Sequence, residues 1–495
     1  MRRSSDILQS SNMQLPKLRC AAFVPAYIMT PHKALQQYFG YENFRTSQSS
    51  VIDHVLGGNH AMVVMPTGMG KSLCYQIPAL VSDDLTLVLS PLVALMKDQV
   101  DALVSRGIDA AFINSSLDRE TRLQRYDEVA AGKYRILYVT PERFRKADFC
   151  EIMRSRKVGL LAIDEAHCVS QWGHDFRPDY SRIAEIRDLI GNPTTIALTA
   201  TATAECRDDI YRVIGIESSQ IRLFHEGIDR PNLTLDVCPV LDEDEKVQQI
   251  VETLRSDQYA GGSVILYFSL IKTLQRISDQ LFRQGVDHVC YHGDLNRGQR
   301  RRIQDDFMTG DADVVLATNA FGMGVDKSDI RIVMHVETPG SIESYYQEVG
   351  RAGRDDRPSL CRWLYDQSDL MTQMQFIEWS NPDADFYGRV YTMLTENNEQ
   401  CRAFGLQWMN ERLQKVSRHD HRLATAISML DRQGVIAGPR EPECFELLSD
   451  LPTFFRDEDQ LAEKKRRDQE RLYAMVQYAA WEGDRKEFLN DYFLG

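Results

Sequence analysis

One short segment combines residue types that handle phosphate. It reads MPTGMGKS over residues 65–72, with Gly68 and Gly70 ahead of Lys71 and Ser72. Backbone N–H groups of such a loop point at phosphates, the lysine brings a positive charge to the terminal phosphates, and the serine hydroxyl can ligate Mg²⁺. The flanking AMVVM predicts a buried strand and KSLCYQIPAL a helix, which is the context that a phosphate loop requires. Because a lone loop of this kind also arises by chance, it needs a partner site.

A pair of carboxylates supplies that partner. Asp164 and Glu165 directly follow the apolar run Val158–Ile163. A buried parallel strand over this run would bring both side chains to the carboxyl edge of a sheet, where α/β proteins bind ligands. We expect Asp164 to hold Mg²⁺ and Glu165 to orient or deprotonate the attacking water. Taken alone, the pair could equally cap a helix; together with Lys71 it indicates nucleotide hydrolysis.

Two arginines in the second half of the chain could act on the same phosphate groups. Arg351 and Arg354 lie three apart in SYYQEVGRAGRDDRPS, on a predicted helix and hence on one face. Two guanidiniums suit the charge of a phosphoryl-transfer transition state. The alternative is surface pairing with Asp355 or Asp356, which contributes little energy.

The elements that must position these residues follow from the remaining apolar runs. Short runs alternate with helical stretches through roughly the first 370 residues, which predicts two doubly wound parallel-sheet α/β domains, the second without a phosphate loop. Thr199 and Thr201 end the run TTIALTATAT beside the expected metal. They either sense the terminal phosphate or satisfy backbone groups at a strand end.

Composition narrows the class of protein. A chain of 495 residues is too long for one hydrophobic core, so several domains are expected. No apolar run is long enough to cross a bilayer, and we expect a cytoplasmic protein. The net charge of −14 excludes a surface that is basic throughout, although a groove can still bind nucleic acid. Ten cysteines without metal-ligand spacing predict reduced thiols.

Read in chain order, MPTGMGKS, IDEAH, LTATAT, TNAFGMGVD and QEVGRAGRD resemble the helicase motifs of superfamily 2, whose phosphate loop tolerates a methionine at position 65. LQQYFGYENFRTSQSSVI and DEAHCVSQWGHDFRPDY are similar to RecQ DNA helicases specifically. The resemblance covers about residues 32–370. It implies two tandem RecA-like lobes with ATP and Mg²⁺ between them, and 3′ to 5′ movement along single-stranded DNA with unwinding of duplexes in repair or recombination.

The resemblance also implies roles for individual residues. Tyr41 would stack on adenine, with Arg45 and Gln48 near the base. The nucleotide-binding set it implies is Tyr41, Arg45, Gln48, Thr67, Gly68, Gly70, Lys71 and Ser72. From the second lobe, Gln347, Arg351 and Arg354 would face the γ-phosphate. An aromatic-rich loop would couple contact with a single strand to hydrolysis through Trp172, His174, Phe176 and Arg177.

The sequence predicts five regions: an N-terminal tail at 1–30, lobes at 31–220 and 221–370, an accessory helical or winged-helix-like region at 371–455, and a C-terminal helical region at 456–495. The family normally continues into a platform holding zinc on four cysteines. Only Cys401 and Cys444 remain there, so we predict no structural zinc. Residues 456–495 resemble the helix pair that begins this platform.

Two details of the last quarter leave alternatives open. Leu423, Ile427 and Leu430 have the helical spacing of a winged-helix fragment, which either binds duplex DNA or is a packing module. The basic run Lys464–Arg467 either contacts phosphates or forms a solvated helix face.

The leading hypothesis is an ATP-dependent DNA helicase of RecQ type. One alternative is a single-strand translocase or RNA-directed helicase without efficient unwinding, because the usual fork-splitting hairpin is not identifiable. Another is a non-hydrolysing nucleic-acid-binding scaffold. The expected partners are single-stranded and forked DNA and repair proteins such as a single-strand-binding protein, not a membrane. We expect a monomer, located at the nucleoid if the source is bacterial.

Overall fold

The first lobe is built on a sheet of seven parallel strands. The computed structural model describes residues 29–66, 68–91, 93–169, 178–256, 261–322, 325–413, 420–437 and 446–494. In spatial order the strands are β3 (Ala110–Ile113), β4 (Ile136–Val139), β2 (Leu85–Leu89), β5 (Val158–Ile163), β6 (Thr194–Thr199), β1 (His60–Val64) and β7 (Ile221–His225). Because β7 pairs with β1, the first sheet extends beyond residue 220, the lobe boundary expected from the sequence.

Helices cover both faces of this sheet, so its strands are apolar on both sides. On β1, Met62 and Val64 pack into the core on one face while Ala61 and Val63 pack into the core on the other. The helices are α1 (Pro31–Ala34), α2 (Gln48–Leu56), α3 (Leu73–Val81), α4 (Val93–Ser105), α5 (Arg119–Ala130), α6 (Ala147–Ser155), α7 (Ile183–Leu189) and α8 (Ala204–Ile214).

The strand order brings the candidate catalytic segments together at the carboxyl ends of neighbouring strands. β5, β6 and β1 are neighbours, and all three run in the same direction. The carboxylate pair follows β5, Thr199 ends β6, and the phosphate loop follows β1. Three sequence-distant segments therefore meet at the carboxyl ends of adjacent strands.

The second lobe repeats this plan with six parallel strands. In spatial order they are β10 (Val289–Tyr291), β11 (Val314–Thr318), β9 (Ser263–Phe268), β12 (Ile330–His335), β13 (Ser359–Tyr365) and β8 (Leu233–Pro239). Its helices are α9 (Glu243–Leu254), α10 (Ile271–Arg283), α11 (Arg297–Thr309) and α12 (Ile342–Val349). The predicted pair of tandem α/β domains is confirmed.

The remainder is mainly helical, as expected. Its elements are α13 (Asp369–Ser380), α14 (Ala384–Glu396), α15 (Asn398–Leu413), α16 (Arg422–Arg432), the antiparallel pair β14 (Ile436–Ala437) and β15 (Glu446–Leu447), α17 (Glu458–Ala480) and α18 (Arg485–Leu494). Helices α14 to α16 enclose a core of their own, in which Leu423, Ile427 and Leu430 are buried together. The periodic residues of the winged-helix-like segment therefore build packing contacts.

The last two helices join the core of the second lobe. Met475 and Tyr478 of α17 and Leu489 and Phe493 of α18 are buried there. The Tyr478 hydroxyl lies 3.2 Å from that of Tyr345 on α12. The C-terminal region is thus an outer layer of the second lobe.

The basic run on α17 is fully engaged in ion pairs. Lys464 contacts Asp468 at 3.0 Å and Lys465 contacts Glu378 at 2.7 Å. Arg466 and Arg467 each lie 2.8 Å from Glu463. These partners favour a charged, solvated helix face over a phosphate-binding patch. None of the helices in the described ranges has the length and apolar character needed to cross a membrane.

Candidate active site

The phosphate loop needs glycine at two positions. Gly68 has φ of 83° and Gly70 has φ of 77°, in the left-handed region that favours glycine. A Cβ atom on Gly70 would lie 2.8 Å from Nε2 of Gln48, and one on Gly68 would lie 3.1 Å from Cγ of Arg354. The loop therefore packs closely against α2 on one side and against the second lobe on the other.

Lys71 carries a buried ammonium group with no hydrogen-bond partner among the described residues. Burial lowers the pKa of Lys71, while the carboxylates of Glu165 and Asp164 act in the opposite direction. An unpaired buried cation is costly unless an anion joins it. Together with the glycine cradle, this group makes the site suited to a phosphate and its counter-ion.

The carboxylate pair lies opposite Lys71. Asp164 is 7% exposed. Burial, together with the neighbouring Glu165 carboxylate, raises the pKa of Asp164 to about 7, and Lys71 opposes this shift. Glu165 has φ of 49°, which is uncommon outside glycine, and its backbone N–H donates to Oδ1 of Asp164 at 3.1 Å. Such strained backbone concentrates at functional sites.

A short network connects Glu165 to the end of β6. Nδ1 of His167 lies 3.4 Å from Oε2 of Glu165 and 3.0 Å from the Thr199 hydroxyl. That hydroxyl donates to the Thr201 carbonyl at 2.9 Å and accepts from the Thr201 N–H at 3.2 Å. The Thr199 hydroxyl thus satisfies backbone groups at a strand end, as one alternative held. Because the Thr199 hydroxyl donates its proton to the Thr201 carbonyl, we assign Nδ1 of His167 as the donor to the Thr199 oxygen.

The two arginines come from the second lobe. Arg351 donates to the Gly322 carbonyl, and Arg354 pairs with Asp326. The Nε groups of both arginines are buried and have no partner among the described residues. Burial lowers the pKa of Arg354 despite that pairing. Neither arginine forms an ion pair with Asp355 or Asp356 among the described residues, and the Asp355 carboxylate instead contacts Arg331.

One local prediction about these arginines was wrong. They do not share a helix face, because α12 ends at Val349 and both lie in the turns that follow it. Gly350 succeeds the last helical residue, and Gly353 has φ of 57°, which no helix accommodates. The turns, rather than helical periodicity, bring the two guanidiniums to the cleft.

The expected base-binding residues lie on the first-lobe side. Tyr41 is 54% exposed beside the cleft. The Gln48 side chain is engaged with the protein: its Oε1 accepts from the Arg45 N–H at 2.9 Å, and its Nε2 donates to the carbonyls of Met69 and Gly70 at 2.9 and 3.1 Å. In this conformation Gln48 holds the phosphate loop, so a contact with a base would replace these bonds.

A cleft of about 450 Å³ between the lobes collects the predicted residues. Those that line it are Tyr41, Arg45, Gln48, Gly68, Gly70, Lys71, Ser72, Asp164, Glu165, Gln347, Arg351 and Arg354. Thr67 and the coupling residues Trp172, His174, Phe176 and Arg177 lie outside the described residues. Asp326, Asn43 and Gln99 also line the cleft and were not predicted. Asp326 and Asn43 carried a signal, since they lie in the motifs TNAFGMGVD and LQQYFGYENFRTSQSSVI.

Two tandem parallel-sheet lobes with a nucleotide-type cleft between them are the arrangement found in superfamily 2 helicases. Residues 45–209 match the family model described as DEAD/DEAH box helicase, and residues 245–356 match that of the helicase conserved C-terminal domain. Solved helicase structures share this fold. The Mycobacterium smegmatis helicase Lhr has a TM-score of 0.55 at 16% identity, covering 92% of this chain and 62% of its own. MrfA has a TM-score of 0.57 at 22% identity, covering 70% and 52%.

Within that class, the chain belongs to the RecQ family. It is 44% identical to the ATP-dependent DNA helicase RecQ of Bacillus subtilis over 70% of this chain and 58% of the relative, and 43% identical to that of Haemophilus influenzae over 69% and 54%. It is 37% identical to the probable ATP-dependent DNA helicase RecS of Bacillus subtilis over 74% of this chain and 73% of the relative. The family resemblance read from the motifs is confirmed. The chain spans little more than half the length of the two RecQ relatives.

Membership of the family supports Mg²⁺ with ATP, whereas the predicted absence of structural zinc is not tested. A family of ATP-dependent helicases implies ATP with Mg²⁺, for which the cleft has suitable donors in Ser72 and Asp164. Among the described residues, no cluster of three or more His, Cys, Asp or Glu side chains could hold a metal ion. Cys444 lies outside those residues, so the absence of structural zinc stays a prediction.

Proposed function

We propose that this chain is a DNA-stimulated ATPase that moves 3′ to 5′ along single-stranded DNA and separates the duplex ahead of it. One observation carries the proposal: the unpartnered ammonium of Lys71 lines the same cleft as Arg351 and Arg354 of the other lobe. Three cations converging on one cleft suit a polyphosphate. Membership of the RecQ family supports ATP as the nucleotide and DNA as the polymer.

The first lobe would carry the hydrolytic chemistry. Ser72 and Asp164 would hold Mg²⁺, which neutralises charge on the phosphate oxygens when bound. Lys71 favours the ionised form of Asp164 that a metal needs. Glu165 orients the attacking water and accepts its proton, because its Oε2 is buried without a hydrogen-bond partner in the described structure.

The second lobe would respond to the terminal phosphate. Arg354 now pairs with Asp326, whose carboxylate is largely exposed. A γ-phosphate in the cleft would compete for this guanidinium, and Arg351 would add a second charge as negative charge develops. Gain and loss of the phosphate would thereby close and release the two lobes.

Contact with DNA would reach the site through the loop after His167. This residue belongs to a single turn, Ala166–Val169, which leads directly into the segment that contains Trp172 and Phe176. The His167 ring contacts both Glu165 and Thr199. A strand stacked on the aromatic residues could therefore bias the position of Glu165. Phosphate contacts make such binding weaken with salt.

The direct test measures ATP turnover with and without single-stranded DNA, and strand separation on duplexes with a 3′ or a 5′ overhang. We expect stimulation by DNA and unwinding only from the 3′ overhang. The Lys71→Ala variant is the control for contaminating ATPase and should lose turnover. Absence of turnover in the wild-type chain would overturn the proposal and favour a binding scaffold.

The same assay separates the enzymatic alternatives. Stronger stimulation by single-stranded RNA would identify an RNA-directed enzyme. Stimulation by DNA without unwinding would identify a translocase. The second outcome would agree with the sequence, in which the usual fork-splitting hairpin is not identifiable.

A further inference from the structure

A row of three stacked side chains lies on α15, outside both lobes. Phe404 precedes the kink of this helix at Gly405, whereas Trp408 and Arg412 follow it and, being four residues apart, share one helix face. The ring centroids of Phe404 and Trp408 are 6.1 Å apart with an interplanar angle of 26°. The guanidinium carbon of Arg412 lies 4.3 Å from the Trp408 ring centroid. We call these three residues the aromatic row.

The aromatic row extends outward from the hydrophobic core. Phe404 is 62% exposed, whereas Trp408 is partly buried and packs against the core that also holds Met409 and Leu413 of the helical segment after Phe404. The segment starts at a kink, since Gly405 has φ of 66° and ψ of −164° within α15. Isolated exposed apolar residues are normal on protein surfaces. A stacked aromatic pair extended by a guanidinium is instead a surface that can accept a further planar group.

The sequence that contains the aromatic row is locally basic, which favours an anionic ligand. Between Arg402 and Arg422 the sequence holds five Lys and Arg residues against two Asp and Glu residues, in a chain whose net charge is −14. No described carboxylate forms an ion pair with Arg412, although Arg422 pairs with Asp420 at 2.7 Å. This local excess of positive charge contrasts with the fully paired basic run on α17.

A groove adjoins the row on the side of Arg412. Its volume is about 530 Å³, and α14, α15 and the residue between them line it with the polar and charged side chains of Asp385, Arg389, Thr392, Asn397 and Arg412. Arg389 is paired with Asp385 at 2.9 Å, which leaves Arg412 as the cation directed at both groove and rings. A chain of phosphates along the groove could thus accompany bases stacked on the rings.

We propose that the aromatic row is a base-stacking site for single-stranded DNA. The rings offer a π-face to an unpaired base, which every base can use irrespective of sequence, and Arg412 adds a cation beside the backbone. In a duplex the bases are already stacked on one another, so the row selects a single strand. The inference rests on the proposed function, which supplies the strand, and adds a contact remote from the nucleotide cleft.

The test compares affinities for a fluorescently labelled oligothymidine, measured by anisotropy with the full chain and without nucleotide. We expect Phe404→Ala and Trp408→Ala each to raise the Kd by about tenfold, because a stacked aromatic contributes on that scale. Trp408→Phe keeps a ring and should retain most of the affinity. Tyr473→Ala is the matched control, since Tyr473 is also 62% exposed but lies on α17. Unchanged thermal unfolding midpoints check that each variant is folded.

Unchanged affinity in both alanine variants would overturn the inference, as would an equal loss in the Tyr473→Ala control. A loss of affinity for labelled duplex DNA or RNA, with oligothymidine binding unaltered, would overturn it in favour of a different polymer. The measurement needs no hydrolysis. Failure of the proposed ATPase would therefore appear in the turnover assay, separately from failure of this site.

Discussion

Gly68 of the phosphate loop lies directly against Arg354 of the second lobe. A Cβ atom on Gly68 would come within 3.1 Å of Cγ and 3.4 Å of Cδ of Arg354, and the φ of Gly68 is 83°. The two halves of the proposed site therefore touch at a position that only glycine occupies without strain. The position of the phosphate loop and that of the second-lobe arginine therefore depend on each other.

Gly68→Ala, compared with a control glycine, distinguishes the effect of backbone strain from the effect of the contact with Arg354. The left-handed backbone costs an alanine about 1 kcal/mol of folding free energy, and the added methyl group also displaces Arg354. Gly58→Ala is the matched control, because Gly58 has φ of 81° and nothing within 4 Å of its Cβ position. We expect similar losses in chemical denaturation for both variants, but a loss of ATP turnover only for Gly68→Ala. Equal ATP turnover in the two variants would contradict a role of the Gly68–Arg354 contact in hydrolysis.

Lys71→Met should stabilise the nucleotide-free protein while removing its activity. The buried ammonium has no hydrogen-bond partner in the described structure, and burial lowers its pKa. Replacing it with an uncharged chain of similar length removes that cost, which we place at about 1 kcal/mol. Thermal unfolding with and without MgATP gives the measurement: the ligand should raise the wild-type Tm and leave the variant unchanged.

The control for this variant is Lys97→Met, since Lys97 forms an exposed ion pair with Asp101 at 2.5 Å. It should change stability little and keep the response to MgATP. A lower Tm for Lys71→Met than for the wild type would mean that Lys71 is paired in the resting protein.

Arg351→Ala and Arg354→Ala should slow hydrolysis more than they weaken ATP binding. Charge on the transferred group spreads in the transition state, so a loss of about 10³-fold in turnover is expected for an arginine finger. Arg357→Ala is the control, because Arg357 is exposed. Turnover at saturating ATP and binding of a fluorescent ATP analogue supply the two readouts. Parallel losses in both would assign these arginines to ground-state binding.

Gln76→Leu tests a buried link between the phosphate-loop helix and α4. Nε2 of Gln76 donates to Oε1 of Gln99 at 3.1 Å and to the Tyr138 hydroxyl at 3.3 Å. Gln99 lies on α4 and also lines the cleft between the lobes. We expect turnover without DNA to change little and stimulation by single-stranded DNA to fall by about tenfold. A loss confined to turnover without DNA would contradict a coupling role.

The phosphate chemistry could be predicted from the sequence because few residue types perform it. The run Val158–Ile163 is the strand β5 at the same bounds, and it delivers Asp164 to the sheet edge. Strand, loop and helix follow one another along the chain there, so hydrophobic periodicity and glycine placement suffice.

Contacts between distant segments could not be predicted in this way, because the sequence around each residue does not indicate its distant partner. Nothing near Arg354 in the sequence indicates its pairing with Asp326, and Gln48 holds the phosphate loop from 21 residues away. The sequence prediction extended α12 too far. It relied on the three-residue spacing of Arg351 and Arg354 and not on the glycines that follow the helix. The seventh strand and the outer helices of the second lobe likewise depend on tertiary pairing.

Phe493→Ala tests whether α18 belongs to the core of the second lobe. Its ring is 1% exposed and lies 5.3 Å from that of Tyr346, while its carbonyl accepts from Nη1 of Arg207 in the first lobe at 3.2 Å. Truncating a buried phenylalanine costs about 3 to 5 kcal/mol, so the unfolding free energy in urea should fall by this amount. Leu494→Ala, next along the helix and exposed, should change it little. Equal small effects would mean that α18 frays from the lobe. A large effect of Phe493→Ala alone establishes the helix as a structural layer of the second lobe.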